Sequence, residues 1–393
     1  MRGGASPGRF GAAVFTADLV LYLVFTAVPL KAIEFGAGPL ALGLLPAVSS
    51  TVYVISALAF GRLSDRGHRM RMARFGCLLV TAGALLLRLS PGLPWLFVFL
   101  PLVSLGGGLF WPAIHAEFGE RIEGPGMLRR LGWYNVCWSA GKMSGFWVAG
   151  HLTHAFGVDT PLALAVLLEG LLLLFAPPDI APREAGAAPE EASGAPAAVR
   201  RRFRIAAWIA NGIAFGVGST LGYQYPRRLF ALGHDAADLG NFLGLLGLAQ
   251  TATFAWLGLR HGWEYRRGLF VLPLVAGAAA TAVLAGVGRD LWILLCAPAI
   301  GYALGVAFTE SFFHSIHRER GRGRNTGVHE ALLGAGTFLL PLAGGLLVPS
   351  LGDAAPLLLA AAALAGVAIL SLALLRGVGV TRPKDDLPAR ASS

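Results

Sequence analysis

The sequence predicts an all-α integral membrane protein, and two observations lead to this fold class. The chain of 393 residues is 55% hydrophobic and only 14% charged, which is too apolar for a water-soluble globular domain. Apolar runs of about eighteen or more residues recur along the chain, and each is long enough to cross a hydrocarbon core of ~30 Å as a helix. We therefore expect the lipid bilayer to surround most of the protein.

Glycine, proline and charged residues divide the apolar sequence into about twelve predicted membrane helices. The predicted spans are 9–32, 38–61, 71–90, 94–117, 128–155, 160–177, 203–226, 238–259, 266–287, 291–316, 325–349 and 355–376. Between the sixth and seventh lies a stretch rich in proline, alanine and glutamate, which is typical of a flexible linker. We predict an N-terminal six-helix bundle in residues 1–177, a linker in 178–202, a C-terminal six-helix bundle in 203–376 and a tail in 377–393.

The basic residues are distributed unequally between the two sides of the predicted helices. A net charge of +10 would suggest nucleic-acid binding in a soluble protein, but most arginines here fall in alternate loops, and the opposite loops hold few. Such a bias places the arginine-rich side in the cytoplasm. We therefore predict a multi-pass protein of the plasma (inner) membrane, with both termini cytoplasmic and with no nucleic-acid partner.

The two halves of the chain show a weak internal repeat. A shift of 197 residues sets Gly36 on Gly233, Gly43 on Gly240 and Gly61 on Gly258, and a shift of 195 sets Gly132 on Gly327, Gly141 on Gly336 and Gly150 on Gly345. Internal repeats are common in transporters whose two halves rock around a central site. The repeat predicts that the two bundles are pseudo-symmetric.

The stretch GRLSDRGHRMR, residues 61–71, places several arginines and one aspartate between the second and third predicted helices. It resembles the loop at this position in the major facilitator superfamily (MFS), whose pattern runs roughly G-x-L-a-D-r-x-G-r-r. The matching residues include Gly61, Asp65, Arg66, Gly67 and Arg69. The resemblance extends over nearly the whole chain and implies a secondary transporter that works by alternating access.

The same resemblance implies a conformational latch at the cytoplasmic side. It brings Asp65 near the start of the eleventh helix, where a carboxylate gains from the helix dipole and from unpaired N–H groups. Arg129 and Arg130, at the head of the fifth helix, are expected to share this contact. We expect the contact to hold the outward-facing state. The alternative is that the loop only sets topology and that the acid has no role.

Glycines in the fifth and eleventh helices resemble a pattern of drug/proton antiporters in this superfamily. The candidate packing glycines are Gly132, Gly141, Gly145, Gly150, Gly327, Gly336, Gly344 and Gly345. Small residues also let any two membrane helices approach closely, so packing without antiport remains an open interpretation. A third antiporter pattern is absent, because Leu102 stands where the family often has an arginine in the fourth helix.

Ionisable residues inside predicted spans are candidate functional residues, because each costs free energy unless it faces water or a partner. We single out Asp18 in the first helix, Lys142 in the fifth and Glu310 in the tenth as candidates for proton coupling. An Asp18–Lys142 pair is geometrically possible, and a purely structural pair is the alternative. Glu310 and His314 are too few ligands to indicate a metal site.

Polar and aromatic residues on the predicted helices would suit a cavity for an amphiphilic or aromatic organic compound. The candidate cavity residues are Tyr22, Trp111, His115, Asn135, Trp138, Asn211, Tyr223, Gln224, Tyr302 and His314.

The function that the sequence favours is secondary transport of a small organic molecule, most simply proton-coupled export by a monomer without cofactors or metals. A proton- or ion-coupled importer of an organic solute or lipid-like molecule is the alternative, and a non-transporting sensor is a more remote one. We expect no enzymatic activity, because we find no nucleophile elbow, HExxH, phosphate loop or paired-carboxylate motif.

Overall fold

The structure is a computed structural model, and it describes residues 7–64, 69–122, 127–175, 195–260, 262–288, 290–317 and 322–377. These residues form thirteen α-helices. The helices are α1 (Pro7–Glu34), α2 (Pro39–Ser64), α3 (Arg69–Arg88), α4 (Leu93–Ile122), α5 (Met127–Phe156), α6 (Asp159–Phe175), α7 (Ala197–Tyr223), α8 (Tyr225–Ala231), α9 (Ala236–Leu259), α10 (Arg267–Gly286), α11 (Asp290–Ile316), α12 (Arg322–Leu351) and α13 (Ala355–Leu374).

Each predicted span overlaps one long helix, but α7 differs from its prediction at both ends. It begins at Ala197 rather than at 203 and ends at Tyr223. The short helix α8 follows, with Pro226 in its first turn. Proline has no N–H to donate and favours a helix start, which accounts for the break at Gln224.

Ten helices of the described residues are long and apolar enough to cross a membrane. Among the long helices, α5 and α6 do not meet that criterion. Helix α6 has only 17 described residues, and α5 carries Arg129, Arg130 and Lys142 together with several polar side chains. Of these charged residues, Lys142 is buried among other helices, whereas Arg129 and Arg130 are exposed.

The helices of the first half of the chain (α1–α6) and of the second half (α7–α13) pack in the same pattern. In the first half, α1 packs on α5 and α6, α4 packs on α2 and α3, and α3 packs on α6. In the second half, α7 packs on α12 and α13, α11 packs on α9 and α10, and α10 packs on α13. The main contacts between the halves are α5 with α9 and α2 with α12, which are equivalent pairs under the repeat.

Two glycines related by the repeat begin equivalent turns. Gly36 follows α1 with φ 78°, and Gly233 follows α8 with φ 91°. A left-handed residue is the usual way to end a helix, and glycine adopts it without steric cost. The next helix begins at Pro39 in the first half and at Ala236 in the second, again 197 residues apart.

Helices α5 and α9 touch at both of their ends through glycine. A Cβ at Gly132 would lie 2.5 Å from the Gly258 Cα, near the arginine-rich end of the molecule. A Cβ at Gly150 would lie 2.5 Å from the Ala236 carbonyl oxygen and 2.6 Å from the Gly240 Cα, at the opposite end. Glycine is therefore required at both positions for the helices to approach this closely.

At the end opposite the arginine-rich one, cationic side chains cap helices within each half. Lys31 Nζ donates to the carbonyl oxygens of Leu87 (3.0 Å) and Arg88 (2.6 Å) and to Asp159 Oδ1 (2.7 Å). It thereby joins the ends of α1 and α3 to the start of α6. In the second half, Arg228 donates to the Ala285 carbonyl oxygen at 2.6 Å and joins α8 to α10.

Candidate functional site

A cavity of about 230 Å³ lies between the two halves of the chain. Its walls come from α1, α2, α4 and α5 of the first half and from α7, α9, α11 and α12 of the second. Most of the lining side chains are apolar or aromatic. Four lining residues carry ionisable groups other than tyrosine: Asp18, His115, Lys142 and Glu330.

Helix α1 presents Asp18 and Tyr22 to the cavity, four residues apart on one face. Asp18 is 5% exposed. Among the described residues, no basic nitrogen lies within the 4.0 Å of an ion pair from its carboxylate, Lys142 included. The two opposite charges therefore face one cavity without a direct contact.

Lys142 extends from the middle of α5 into a group of three aromatic rings. Its Nζ lies 5.0 Å from the ring centroid of Tyr22, 5.7 Å from that of Phe146 and 6.0 Å from that of Phe215. We call these three rings the Lys142 cage. Tyr22 and Phe146 belong to the first half, whereas Phe215 belongs to α7 of the second. Ring faces attract a cation, so the cage stabilises the ammonium group without supplying a negative charge.

Glu330 is the acid that α12 contributes to the cavity. The Tyr53 hydroxyl donates to Glu330 Oε2 at 3.4 Å, and His115 Nδ1 lies 3.8 Å from Glu330 Oε1. Tyr53 and His115 belong to α2 and α4, so this group of three side chains connects the two halves across the cavity. The sequence analysis did not select Glu330, which lies five residues after the predicted start of this span at 325. The acid within an apolar helix was the signal that could have found it.

Trp111, Trp138 and Tyr223 also belong to the aromatic part of the lining. The Trp138 ring centroid lies 5.0 Å from that of Phe308, which belongs to α11. Gln250 of α9 also lines the cavity, and its Oε1 has no hydrogen-bond partner among the described residues. Sequence reasoning did not select Gln250, because nothing in an isolated helix indicates which face meets a cavity.

Comparison with known proteins identifies the family. The family model described as Major Facilitator Superfamily matches residues 10–316, which is most of the chain. The chain belongs to the major facilitator superfamily.

Individual relatives are more distant. An uncharacterized MFS-type transporter of Mycobacterium tuberculosis is 27% identical over 179 residues, which cover 44% of this chain and 43% of the relative. Solute carrier family 67 member A1 of Homo sapiens is 28% identical over 197 residues, which cover 44% of this chain and 45% of the relative. The chain therefore matches less than half the length of either relative.

Solved structures share the fold over nearly the whole chain. The nucleoside transporter NupG superposes with a TM-score of 0.70 at 11% identity, covering 94% of this chain and 98% of that chain. The human organic anion transporter MFSD10 superposes with a TM-score of 0.65 at 14% identity, covering 95% of this chain and 100% of that chain. At these identities the likeness concerns the fold alone.

Half of the cavity residues expected in this MFS protein lie elsewhere. Asn135 does not line the cavity, and its side-chain oxygen accepts a hydrogen bond from Trp138 Nε1 at 3.1 Å. Asn211 contacts His329 between α7 and α12, with Asn211 Nδ2 3.5 Å from His329 Nδ1. Tyr302 also lies outside the cavity lining. Spacing along a helix gives relative faces, but only packing against neighbours decides which face meets the cavity.

Gln224 is not a cavity residue either, because the chain leaves the helix there. Its Nε2 donates at 2.9 Å to the carbonyl oxygens of both Pro39 and Pro341. It therefore joins the starts of α2 and α8 to the middle of α12 and connects the two halves at the end opposite the arginine-rich one.

Glu310 and His314 contact each other and not the cavity. His314 Nε2 lies 2.9 Å from Glu310 Oε2, and both side chains are buried. The His314 ring packs against Phe203 and Tyr265, with centroids 5.5 Å and 4.9 Å away. His314, a predicted cavity residue, is therefore absent from the cavity lining because its helix face points into the second half, and the role of Glu310 in proton coupling stays a prediction.

The candidate packing glycines divide into two groups. Gly141 packs on the Phe15 backbone of α1, and its repeat equivalent Gly336 packs on the Gly212 backbone of α7. Gly145, Gly150, Gly344 and Gly345 also approach another helix closely. A Cβ at Gly327, by contrast, would meet no described atom within 4 Å, so no close helix contact explains this glycine.

The predicted latch falls mainly outside the described residues. Asp65, Arg66 and Gly67 belong to the segment 65–68, which the structure does not describe. Gly61 lies in the last turn of α2, and Arg69 begins α3. Arg129 and Arg130 are exposed in the first turn of α5.

Proposed function

We propose that the protein is a secondary active transporter that moves a small organic compound by alternating access, with proton-coupled export as the leading mode. The observation that carries this proposal is the central cavity, which two repeated halves enclose and which holds buried charges of both signs. Buried charges inside a membrane protein are expensive and mark substrate or ion pathways. The equivalent contacts of α5 with α9 and of α2 with α12 support rocking of one half against the other.

Within this proposal, Asp18 is the proton carrier, and the latch residues around Asp65 hold the outward-facing state. Asp18 suits the role because it lies in the cavity without a direct cationic partner. We further propose two six-helix bundles joined by a linker in 178–202, whose last residues begin α7, a monomeric protein of the inner membrane, and cytoplasmic termini. The positive-inside distribution of arginine supports this orientation.

Leu102 favours a second mode, a proton- or ion-coupled importer, because drug/proton antiporters of the family often carry an arginine at that position. The direction in which a proton gradient drives the compound distinguishes the two modes. In proteoliposomes, a proton gradient that is acidic on one side drives an exported compound toward the acidic side and a symported compound away from it.

The test of transport itself is reconstitution of the purified chain and measurement of gradient-driven flux for compounds that stabilise it thermally, since binding raises apparent stability by mass action. Gradient-driven accumulation that protein-free liposomes lack is the expected result. A purified, folded protein that binds a compound but never moves it, in either direction or in exchange, would contradict the proposal.

A further inference from the structure

Lys142 provides the strongest indication of what kind of compound enters the cavity. Its side chain is 5% exposed, and what exposure it has is toward the cavity that it lines. No carboxylate of the described residues lies within 4.0 Å of its Nζ. A buried charge without a counter-ion is strongly unfavourable, and the three rings of the Lys142 cage offset only part of that cost.

The other charges of the cavity do not supply the missing anion directly. Glu330 is engaged by the Tyr53 hydroxyl and lies beside His115. Asp18 shares a helix face with Tyr22, yet its oxygens remain outside ion-pair distance of the ammonium group. The cavity thus holds an ammonium group that lacks a close anionic partner, next to open volume.

The surroundings of Lys142 indicate the rest of the ligand. Phe25, Trp111, Trp138 and Phe308 line the same cavity together with leucine and valine side chains. The lining also carries serine, threonine and glutamine side chains, but most of it is apolar or aromatic and suits a flat, apolar body. We infer that the substrate is an organic anion with an aromatic body, whose carboxylate or similar group binds Lys142. This inference rests on the proposed transport function.

The Lys142 cage also explains how a bound substrate would affect both halves of the protein. Phe215 belongs to α7, whereas Lys142, Tyr22 and Phe146 belong to the first half. An anion at the ammonium group therefore sits at a contact between the halves, where it changes the relative free energies of the states that rocking interconverts.

Three ligands with one ring system and different charges test the inference: 2-naphthoate, 2-naphthamide and 2-naphthylmethylammonium. Binding to the full chain in detergent is measured by thermal stabilisation and by quenching of tryptophan fluorescence. We expect 2-naphthoate to bind at least about tenfold more tightly than the other two, because only it satisfies the buried ammonium group.

Substitution of Lys142 supplies the controls. Lys142→Met should weaken 2-naphthoate binding about tenfold or more and should improve binding of 2-naphthylmethylammonium, because the vacated cage and Asp18 then suit a cation. A gain of binding cannot come from misfolding. Lys142→Arg should keep the original order of the three ligands.

Equal binding of the three ligands, no binding of 2-naphthoate, or 2-naphthoate binding unchanged in Lys142→Met would overturn the inference. These results would leave the transport proposal standing, since distances between labels at the two ends of α5 and α9 report alternating access without any ligand. Label distances that never change would contradict transport while leaving the binding result intact.

Discussion

Adding a single methyl group at either end of α5 should shift the protein between its two open states. In Gly150→Ala the new Cβ would lie 2.5 Å from the Ala236 carbonyl oxygen and 2.6 Å from the Gly240 Cα, whereas ordinary contact begins at 3.4 Å. The α5 and α9 ends must therefore separate by about 0.9 Å, which is 3.4 minus 2.5. Both obstructing atoms are backbone, so no side chain can rotate away.

The cost of such overpacking is about 1–3 kcal/mol in any state where this end is closed. The helix-propensity gain of alanine over glycine, about 1 kcal/mol, is the same in every state and cancels in the ratio of populations. We expect the ratio to move about 5- to 150-fold toward the state that is open at the end opposite the arginine-rich one.

Gly132→Ala is the mirror experiment, because its Cβ would lie 2.5 Å from the Gly258 Cα at the arginine-rich end. It should shift the population in the other direction. Gly366→Ala is the neutral control, since a Cβ there would meet nothing within 4 Å.

Spin labels report the two ends separately. Phe156 and Leu232 are exposed at one end, and Trp133 and Leu259 are exposed toward the other. Distances between spin labels, measured by pulsed electron–electron double resonance, should increase for the first pair in Gly150→Ala and for the second pair in Gly132→Ala. Shifts in the same direction for both variants, or distances equal to those of Gly366→Ala, would refute the reasoning.

Three further predictions concern charged residues. Asp65→Asn should leave expression unchanged but shift cysteine accessibility toward inward-facing states and slow turnover; unchanged labelling with full turnover would exclude a latch. Asp18→Asn should abolish accumulation driven by a pH gradient but retain substrate exchange, and full gradient-driven accumulation in this variant would show that Asp18 is not the proton carrier. Glu310→Gln should retain both activities, because the Glu310 carboxylate faces His314 and not the cavity. Asp18→Asn/Lys142→Ala should be more stable to thermal unfolding than Lys142→Ala, since no unpaired charge remains; a coupling energy of zero would show that the two residues act independently.

The fold could be predicted from the sequence, because membrane helices correspond to long apolar runs. Predicted and observed helix ends agree to within a few residues for most helices, and the largest error, at the start of α7, comes from the polar and basic residues Arg200–Arg202 that extend the helix beyond its apolar part. Asp18 and Lys142 were found for a general reason: a charge within an apolar run needs either a cavity or a partner.

Only half of the predicted cavity residues lie in the cavity lining, because the lining depends on how each helix is rotated against its neighbours. Asn135 and Trp138 lie three residues apart, yet only Trp138 lines the cavity. Glu330 and Gln250 come from α12 and α9, for which the sequence offered no means of fixing that rotation. The same dependence explains why Glu310 lies outside the cavity lining, and its role in proton coupling stays a prediction.

Some polar contacts at the end opposite the arginine-rich one lie within one half, and others cross between the halves. The contacts of Lys31 and Arg228 lie within one half and are charge-assisted, which makes them roughly twice as strong as neutral hydrogen bonds. Between the halves at this end, Gln224 donates a neutral hydrogen bond to the Pro39 carbonyl oxygen, and His154 Nδ1 lies 3.0 Å from Asp235 Oδ2. Opening of the molecule at this end must therefore break the Gln224 and His154 contacts, whereas the Lys31 and Arg228 contacts lie within one half and are kept. Lys31 is buried and donates all three of its N–H groups within the protein, so it is not free to bind anionic lipid headgroups on that face, and lipid attraction should act mainly at the arginine-rich end.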